Sequence, residues 1–340
     1  MLQGRDRYAA LANLRIYRFT RELVKRAIKF QNPPRVPYNF DSNRTPDNGE
    51  KYGEDMLWVF LSGKDSIVTA DGKIDEWGCL WETMSASFGE PKVFPLEGKE
   101  DLSSFKIPDF TEPWRYVKLK KEIEDNKREK YVLAMLPHGL FQHMLHLFGF
   151  MDFMLNMGCN QELIEELCSK LCDSAIKVVD IMADCGVDGI ITIDDTALQD
   201  RPMISMNSFN QIFKPYFKKL YNACRLRGLD TFMHSCGYTI DIIEELIEVG
   251  LDVINLDQQD NMGISKLSQR YKGRICFYCP LDIQTTLLMK EDEIAHRVKE
   301  MVEAFATEKG GFIAKTYPQP TAIEASDEYM HIMCEEFKKY

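Results

Sequence analysis

The chain lacks the features that would place it outside the ordinary globular proteins. No run of about 18 apolar residues occurs in its 340 residues, so no transmembrane helix is expected. The first thirty residues carry many Arg and Lys and no apolar core segment, so they read as an amphipathic helix rather than a signal peptide. No low-complexity tract or short repeat is present. Ten cysteines in a chain this long fall far short of a disulfide scaffold, and with no export signal they imply reduced thiols and a cytoplasmic protein. Basic charge is also scarce: 42 Lys and Arg against 53 Asp and Glu leave a net charge of −11, a poor prior for nucleic acid or anionic membrane. No glycine-rich phosphate loop follows the first strand, which weakens a doubly wound nucleotide fold.

What is present is an alternation of short apolar runs with amphipathic helices. Runs at 35–40, 131–136, 189–193, 230–233, 251–254, 274–279 and 311–314 read as buried strands, each ending in polar residues. Helical periodicity separates them at 161–184, 209–227, 240–249 and 291–309, with glycines 186, 228, 250 and 310 as stops. Seven strands are clear, and an eighth is expected between residues 66 and 96. Eight would close a (β/α)8 TIM barrel, the expected fold class for this α/β chain. Residues 1–33 are then an N-terminal helical extension and 34–340 the barrel, with 41–130 as an insertion or lid.

Ligands in such a barrel bind at the carboxyl ends of the strands. Those ends carry Asn39, Asp41, His138, Asp194, Asp195, His234, Cys236, Asn255, Asp257, Gln258, Cys279, Asp282, Lys315 and Tyr317. In His234-Ser235-Cys236, residues two apart share a strand face, so imidazole and thiol look into the mouth together. Nitrogen and sulfur donors suit zinc, whose catalytic sites use three protein ligands and keep one position open. Cys279 is the expected third donor by its location. Asp194 and Asp195 point to opposite faces, so only one can line the pocket; with His138 they are the candidate acid–base groups. His143 and His146 read as structural residues of an apolar helix.

These segments together resemble the uroporphyrinogen decarboxylase superfamily. The resemblance is carried by Arg35-Val-Pro, Asp75-Glu-Trp-Gly78 with Trp81, Gly139-Leu-Phe141, Asp194-Asp-Thr196 with Gln199, His234-Ser-Cys-Gly237, residues 250–255 with Gln258, and Asp282-Ile-Gln284. It implies a (β/α)8 barrel and two chemistries. One branch decarboxylates uroporphyrinogen without metal, using arginines after the first strand; here that place reads residues 39–44, with Arg44 as the lone arginine. The other branch moves methyl groups to or from a corrinoid protein. There a His-x-Cys pair and a later cysteine bind zinc, which activates a thiol. His234 and Cys236 match the pair. Residues 310–317 lack the later cysteine, so Cys279 replaces it, or an Asp or Glu does, or no zinc binds.

The resemblance therefore implies a zinc-dependent methyltransferase working with cobalamin carried by a partner protein. Catalysis would fall to Asp194, Asp195 and His138. Substrate binding would fall to Asn39, Gln199, Asn255, Asp257, Gln258, Asp282, Lys315 and Tyr317, and metal binding to His234, Cys236 and Cys279. The expected partners are a small-molecule methyl donor or acceptor and a corrinoid protein, with no nucleic acid and no membrane; a homodimer is compatible. A metal-free decarboxylase and a non-catalytic binding barrel are the alternatives.

Overall fold

The computed structural model describes residues 20–40, 51–82, 89–127 and 129–340. Asp41 and Arg44, and the first nineteen residues of the N-terminal extension, lie outside these described residues.

Eight parallel strands surround a central core. They are β1 (Tyr38–Asn39), β2 (Met56–Val59), β7 (Tyr131–Met135), β8 (Gly189–Ile193), β9 (Asp230–His234), β10 (Val253–Asn255), β11 (Cys276–Cys279) and β12 (Phe312–Lys315). They run in the order β1-β12-β11-β10-β9-β8-β7-β2. The remaining gap, between β1 and β2, is closed by a bridge between Asn39 and Glu54 and by Asp55 N–H donating to the Tyr38 carbonyl at 3.0 Å. The result is the (β/α)8 barrel.

The eighth strand is not where the periodicity placed it. Met56–Val59, inside the expected insertion, pairs with β7 and completes the barrel. Ile67–Thr69, expected to supply it, is β3 of a separate antiparallel sheet with β4 (Gly72–Ile74), β5 (Leu80–Glu82) and β6 (Glu90–Val93). The reason is burial. A barrel strand is covered on both faces, whereas Ile67 and Val68 are 67% and 75% exposed.

Parity along the strands decides what each residue meets. Met56, Tyr131, Leu133, Ile191, Phe232, Val253, Cys276, Tyr278 and Ile313 point inward and form one cluster. Their neighbours Val132, Ala134, Ile190, Met233, Ile254, Phe277, Cys279 and Ala314 point outward into the larger cluster under the helices. Helix Gln161–Cys185, the longest among the described residues, shows why these segments coil. Leu163, Ile164, Leu167, Leu171, Ala175, Val178 and Met182 recur at three and four and are all buried, and Gly186 at φ +92° ends the helix in the left-handed region.

The amino end of the barrel is plugged by helix Thr20–Ile28, whose Val24, Ala27 and Ile28 join the inner cluster. Three carboxylates at the amino ends of β8, β9 and β10 meet its cations. Asp188 pairs with Arg21 and Lys25, and Asp230 and Asp252 pair with Lys29. The opposite end is overhung by the antiparallel sheet and its following coil. Fully buried Arg115 pins this lid, donating to both oxygens of Glu76 and to Glu112. The lid leaves a cavity of about 190 Å³ above β2 and β7, walled by Phe60, Trp77, Phe110, Met135 and Leu136.

Among the described residues, no helix is long and apolar enough to cross a membrane. The ten cysteines are free thiols.

Candidate active site

The inward parity continues past the carboxyl ends of the strands and assembles one polar group. His234 lies in register with Ile193 on one side and Asn255 on the other. Two residues further on, Asp195, Cys236 and Asp257 extend the same inward rows. The His234 Nε2 lies 3.4 Å from Cys236 Sγ and 3.6 Å from Asp195 Oδ1. A ligand atom from each of Asp195, His234 and Cys236 falls within 4.8 Å of the others, and among the described residues this is the one such cluster of three His, Cys, Asp or Glu.

Backbone geometry holds the cluster. Cys236 N–H donates to Asp195 Oδ1 at 2.7 Å, so the carboxylate and the thiol loop are tied together. Asp195 N–H in turn donates to Gln142 Oε1 at 3.2 Å. The turn after Cys236 requires glycine: Gly237 has φ +81°, and a Cβ there would lie 2.5 Å from the Leu198 carbonyl oxygen. Gly237 N–H donates to Gln258 Oε1 at 3.0 Å, and Gln258 also accepts from Gln199. Gln199 and Gln258 therefore brace the turn at the rim.

Beneath the cluster lies a buried ion pair. Lys315 Nζ is 3.0 Å from Asp257 Oδ1 and 3.3 Å from Asn255 Oδ1. All three residues are at most 3% exposed. Burial alone would raise the Asp257 pKa, but the charge and hydrogen bond of Lys315, with the neighbouring His234 and the Asn255 amide, outweigh it and hold the group below the ordinary carboxylate range. Asn39 joins the same floor: its Oδ1 accepts from Trp58 Nε1 at 2.8 Å and from the Tyr278 hydroxyl. The Cys236 thiol is pushed well above the usual thiol range by burial first, then by Asp195 and Asp257, with Lys315 opposing.

Other expected site residues lie elsewhere. Cys279 is not in the cluster. It is one residue out of phase with inward Tyr278, so its thiol packs between the strands and the helices, where burial raises its pKa to about 12. Of the two adjacent carboxylates, Asp195 is the one beside His234 and Cys236. Asp282 is a loop clamp, accepting from the N–H groups of Asp260, Gln284 and Thr285. His138 is 5% exposed and packs on Trp77 and Phe110, with its Nδ1 3.1 Å from the Gly139 oxygen. Burial lowers its pKa to about 4, which leaves the ring neutral at pH 7. His143 and His146 pack at steep angles against Trp77 and Trp81 beside it. Tyr317 is half-buried just beyond β12.

Asp194, expected to be catalytic, faces away from the mouth. Its Oδ1 accepts from Phe141 N–H at 2.7 Å and Gln142 N–H at 3.1 Å, and its Oδ2 is buried without a hydrogen bond. It anchors the start of helix Gln142–Phe148 and, through Gln142, Asp195. Burial pushes its pKa up to about 7 against these backbone donors. A raised carboxyl pKa means that the folded chain holds the proton more tightly than the unfolded one. Its stabilisation is therefore complete below about pH 4 and lost as pH rises to about 7. Asp194→Asn keeps the acceptor without the titration. In urea unfolding across this window, the difference in stability between wild type and Asp194→Asn should shift by a few kcal/mol, at roughly 1.4 kcal/mol per pKa unit. A constant difference would refute the assignment.

Gln142, Trp58 and Tyr278 escaped the sequence reading. Trp58 sits in the strand that was misplaced, and a glutamine on an apolar helix carries no signal of its own.

The family model for uroporphyrinogen decarboxylase (URO-D) matches residues 95–330. No curated protein sequence matches the chain. Among solved structures, a methyltransferase from Methanosarcina mazei superposes with a TM-score of 0.71 at 16% identity, over 94% of this chain and 98% of that one. A chitinase from Chromobacterium violaceum gives a TM-score of 0.43 at 9% identity, over 89% of this chain and 98% of that one. With its model matched over more than half of the residues, and an eight-stranded barrel to carry it, the chain belongs to the uroporphyrinogen decarboxylase family.

Proposed function

We propose that the protein is a zinc-dependent methyltransferase that moves a methyl group between a small donor or a thiol and a corrinoid held by a partner protein. The observation that carries this reading is the convergence of His234 Nε2, Cys236 Sγ and a carboxylate oxygen of Asp195. Nitrogen, sulfur and carboxylate donors are the zinc set, and three protein ligands leave a position for an exogenous group. The residues fit the ion in two further respects. The His234 ring has its other nitrogen engaged 3.0 Å from Asn255 Oδ1, which leaves Nε2 for the metal. The Cys236 thiol is raised by burial first and then by Asp195 and Asp257, and a bound cation would stabilise its thiolate form. Asp195 thus takes the role that the sequence reading assigned to Cys279. Zinc bound there would supply Lewis acidity that lowers the pKa of a bound thiol and turns it into a nucleophile. Asn255, Asp257 and Lys315 form the floor of the pocket. The cavity walled by Trp77, Phe110, Glu76 and Arg115 lies over the same end of the barrel, and we assign it to the body of a small substrate.

The charge pattern speaks against a polycarboxylate substrate. Among the described residues, Lys315 in the mouth is tied to Asp257, and Arg115 beside the cavity is tied to Glu76 and Glu112. A substrate with many carboxylates needs uncommitted cations.

The test is methyl transfer from methylcobalamin to small thiols, followed by the cobalamin spectrum, with zinc-loaded and chelator-stripped protein. Transfer that follows zinc loading is the expected result. No transfer to any thiol, together with chelator-resistant carbon dioxide release from a carboxylic acid, would overturn the reading in favour of a metal-free decarboxylase.

A further inference from the structure

The floor of the site dictates which nitrogen of His234 carries a proton. Asn255 is 2% exposed and has neighbours at both ends of its amide. At one end lies the Tyr278 main-chain oxygen, 2.7 Å from Nδ2, with Asp257 Oδ1 at 3.0 Å. A main-chain carbonyl can only accept, so the NH2 must face this side. At the other end lie Lys315 Nζ at 3.3 Å and His234 Nδ1 at 3.0 Å. A lysine ammonium can only donate, so the amide oxygen must face this side. Turning the amide over would set NH2 against ammonium and oxygen against two acceptors. With the oxygen fixed, His234 Nδ1 can only donate to it.

We infer that Asn255 is a positioning residue that holds His234 as the Nδ1–H tautomer, and that Lys315 and the Tyr278 carbonyl set the direction of its amide. The unprotonated Nε2 then faces Cys236 Sγ and Asp195 Oδ1. The Nε2 lone pair and an Asp195 oxygen thus converge on the Cys236 sulfur, an arrangement that a cation displacing the thiol proton would complete. The metal consequence rests on the zinc reading above; the tautomer does not.

Two measurements separate the two. The first uses the full chain, 15N-labelled on histidine and metal-free, in long-range 1H–15N correlation spectra under neutral-imidazole conditions. His234 is assigned among the six histidines by the signals lost in His234→Gln. A protonated-type shift at Nδ1 and an unprotonated-type shift at Nε2 are expected. They should survive in Asn255→Asp, whose buried carboxyl accepts from Nδ1 with one oxygen and, protonated on the other, donates to the Tyr278 carbonyl as the amide did, and give way to the Nε2–H form in Asn255→Ala. The second titrates Zn²⁺ alone against a chromophoric chelator. Asn255→Ala should weaken zinc binding 10- to 100-fold, the usual effect of losing an outer partner of a ligating histidine, while Asn255→Asp stays within about threefold of wild type. A purely structural asparagine would leave tautomer and zinc affinity alike in the two variants, because neither would then depend on an acceptor facing Nδ1. An Nε2–H tautomer in wild type, or equal losses in the two variants, would overturn the inference. A wild type that binds no zinc overturns the metal reading, and the spectrum then decides the tautomer alone.

Discussion

On the zinc reading, wild type should carry about one zinc ion per chain, and this zinc is expected to be lost from Cys236→Ala and from Asp195→Ala, and retained in Cys279→Ala. The loss should exceed about 100-fold in affinity, since even an outer partner of a ligating histidine is worth 10- to 100-fold. The contrast among the three variants follows from strand parity. Cys236 extends the inward row of His234, and Asp195 extends that of Ile193, which pairs with His234. Cys279 stands one position beyond inward-facing Tyr278 and belongs to the helical layer. Elemental analysis of dialysed protein reads the result directly. Zinc retained in Cys236→Ala, or lost in Cys279→Ala with the fold intact by circular dichroism, would refute the ligand set. The same variants should lose or keep methyl transfer in parallel.

Removing the charge of Lys315 should have the largest effect on stability. Lys315→Met leaves the Asp257 carboxylate buried without its cation, and breaking a buried pair from one side typically costs about 3–5 kcal/mol. Asn255 loses a partner at the same time. The double variant Lys315→Met with Asp257→Asn buries no unpaired charge and should recover a large part of the loss, because replacing both members of a buried pair is often close to neutral. Denaturant unfolding of the two variants measures the difference. If the single and double variants are equally unstable, the pair is not what holds the floor. The pH dependence has a definite sign. A carboxylate held below its ordinary range stabilises the fold above its unfolded pKa, and that contribution fades as pH falls through the depressed folded value. Acid should therefore narrow the gap between wild type and Lys315→Met.

Much of this protein was readable one residue at a time. Helix Gln161–Cys185 announces itself by apolar spacing and a terminal glycine, because a helix that packs on a sheet must bury one stripe. The strands β7 to β12 appear as short apolar runs because a parallel barrel covers both their faces. His234 and Cys236 were legible as a pair for a local reason: two residues apart on an extended chain share a side whatever surrounds them. The same rule separated Asp194 from Asp195 before any fold was known, though not which of them looks into the mouth.

What the amino-acid order settled by itself was periodicity, and with it the alternation of strand and helix and the parity of neighbours within one segment. Which segments meet was decided only in three dimensions. The choice of Met56–Val59 over Ile67–Thr69 as a barrel strand depends on which run is covered from both sides. That Asp195 and not Cys279 lies beside His234 and Cys236 depends on the phase of one strand against another, as does the turn of the Asn255 amide between Lys315 and the Tyr278 carbonyl. Phase between strands is fixed by closure of the barrel and by burial, which are properties of the whole chain and leave no mark on any single stretch of it.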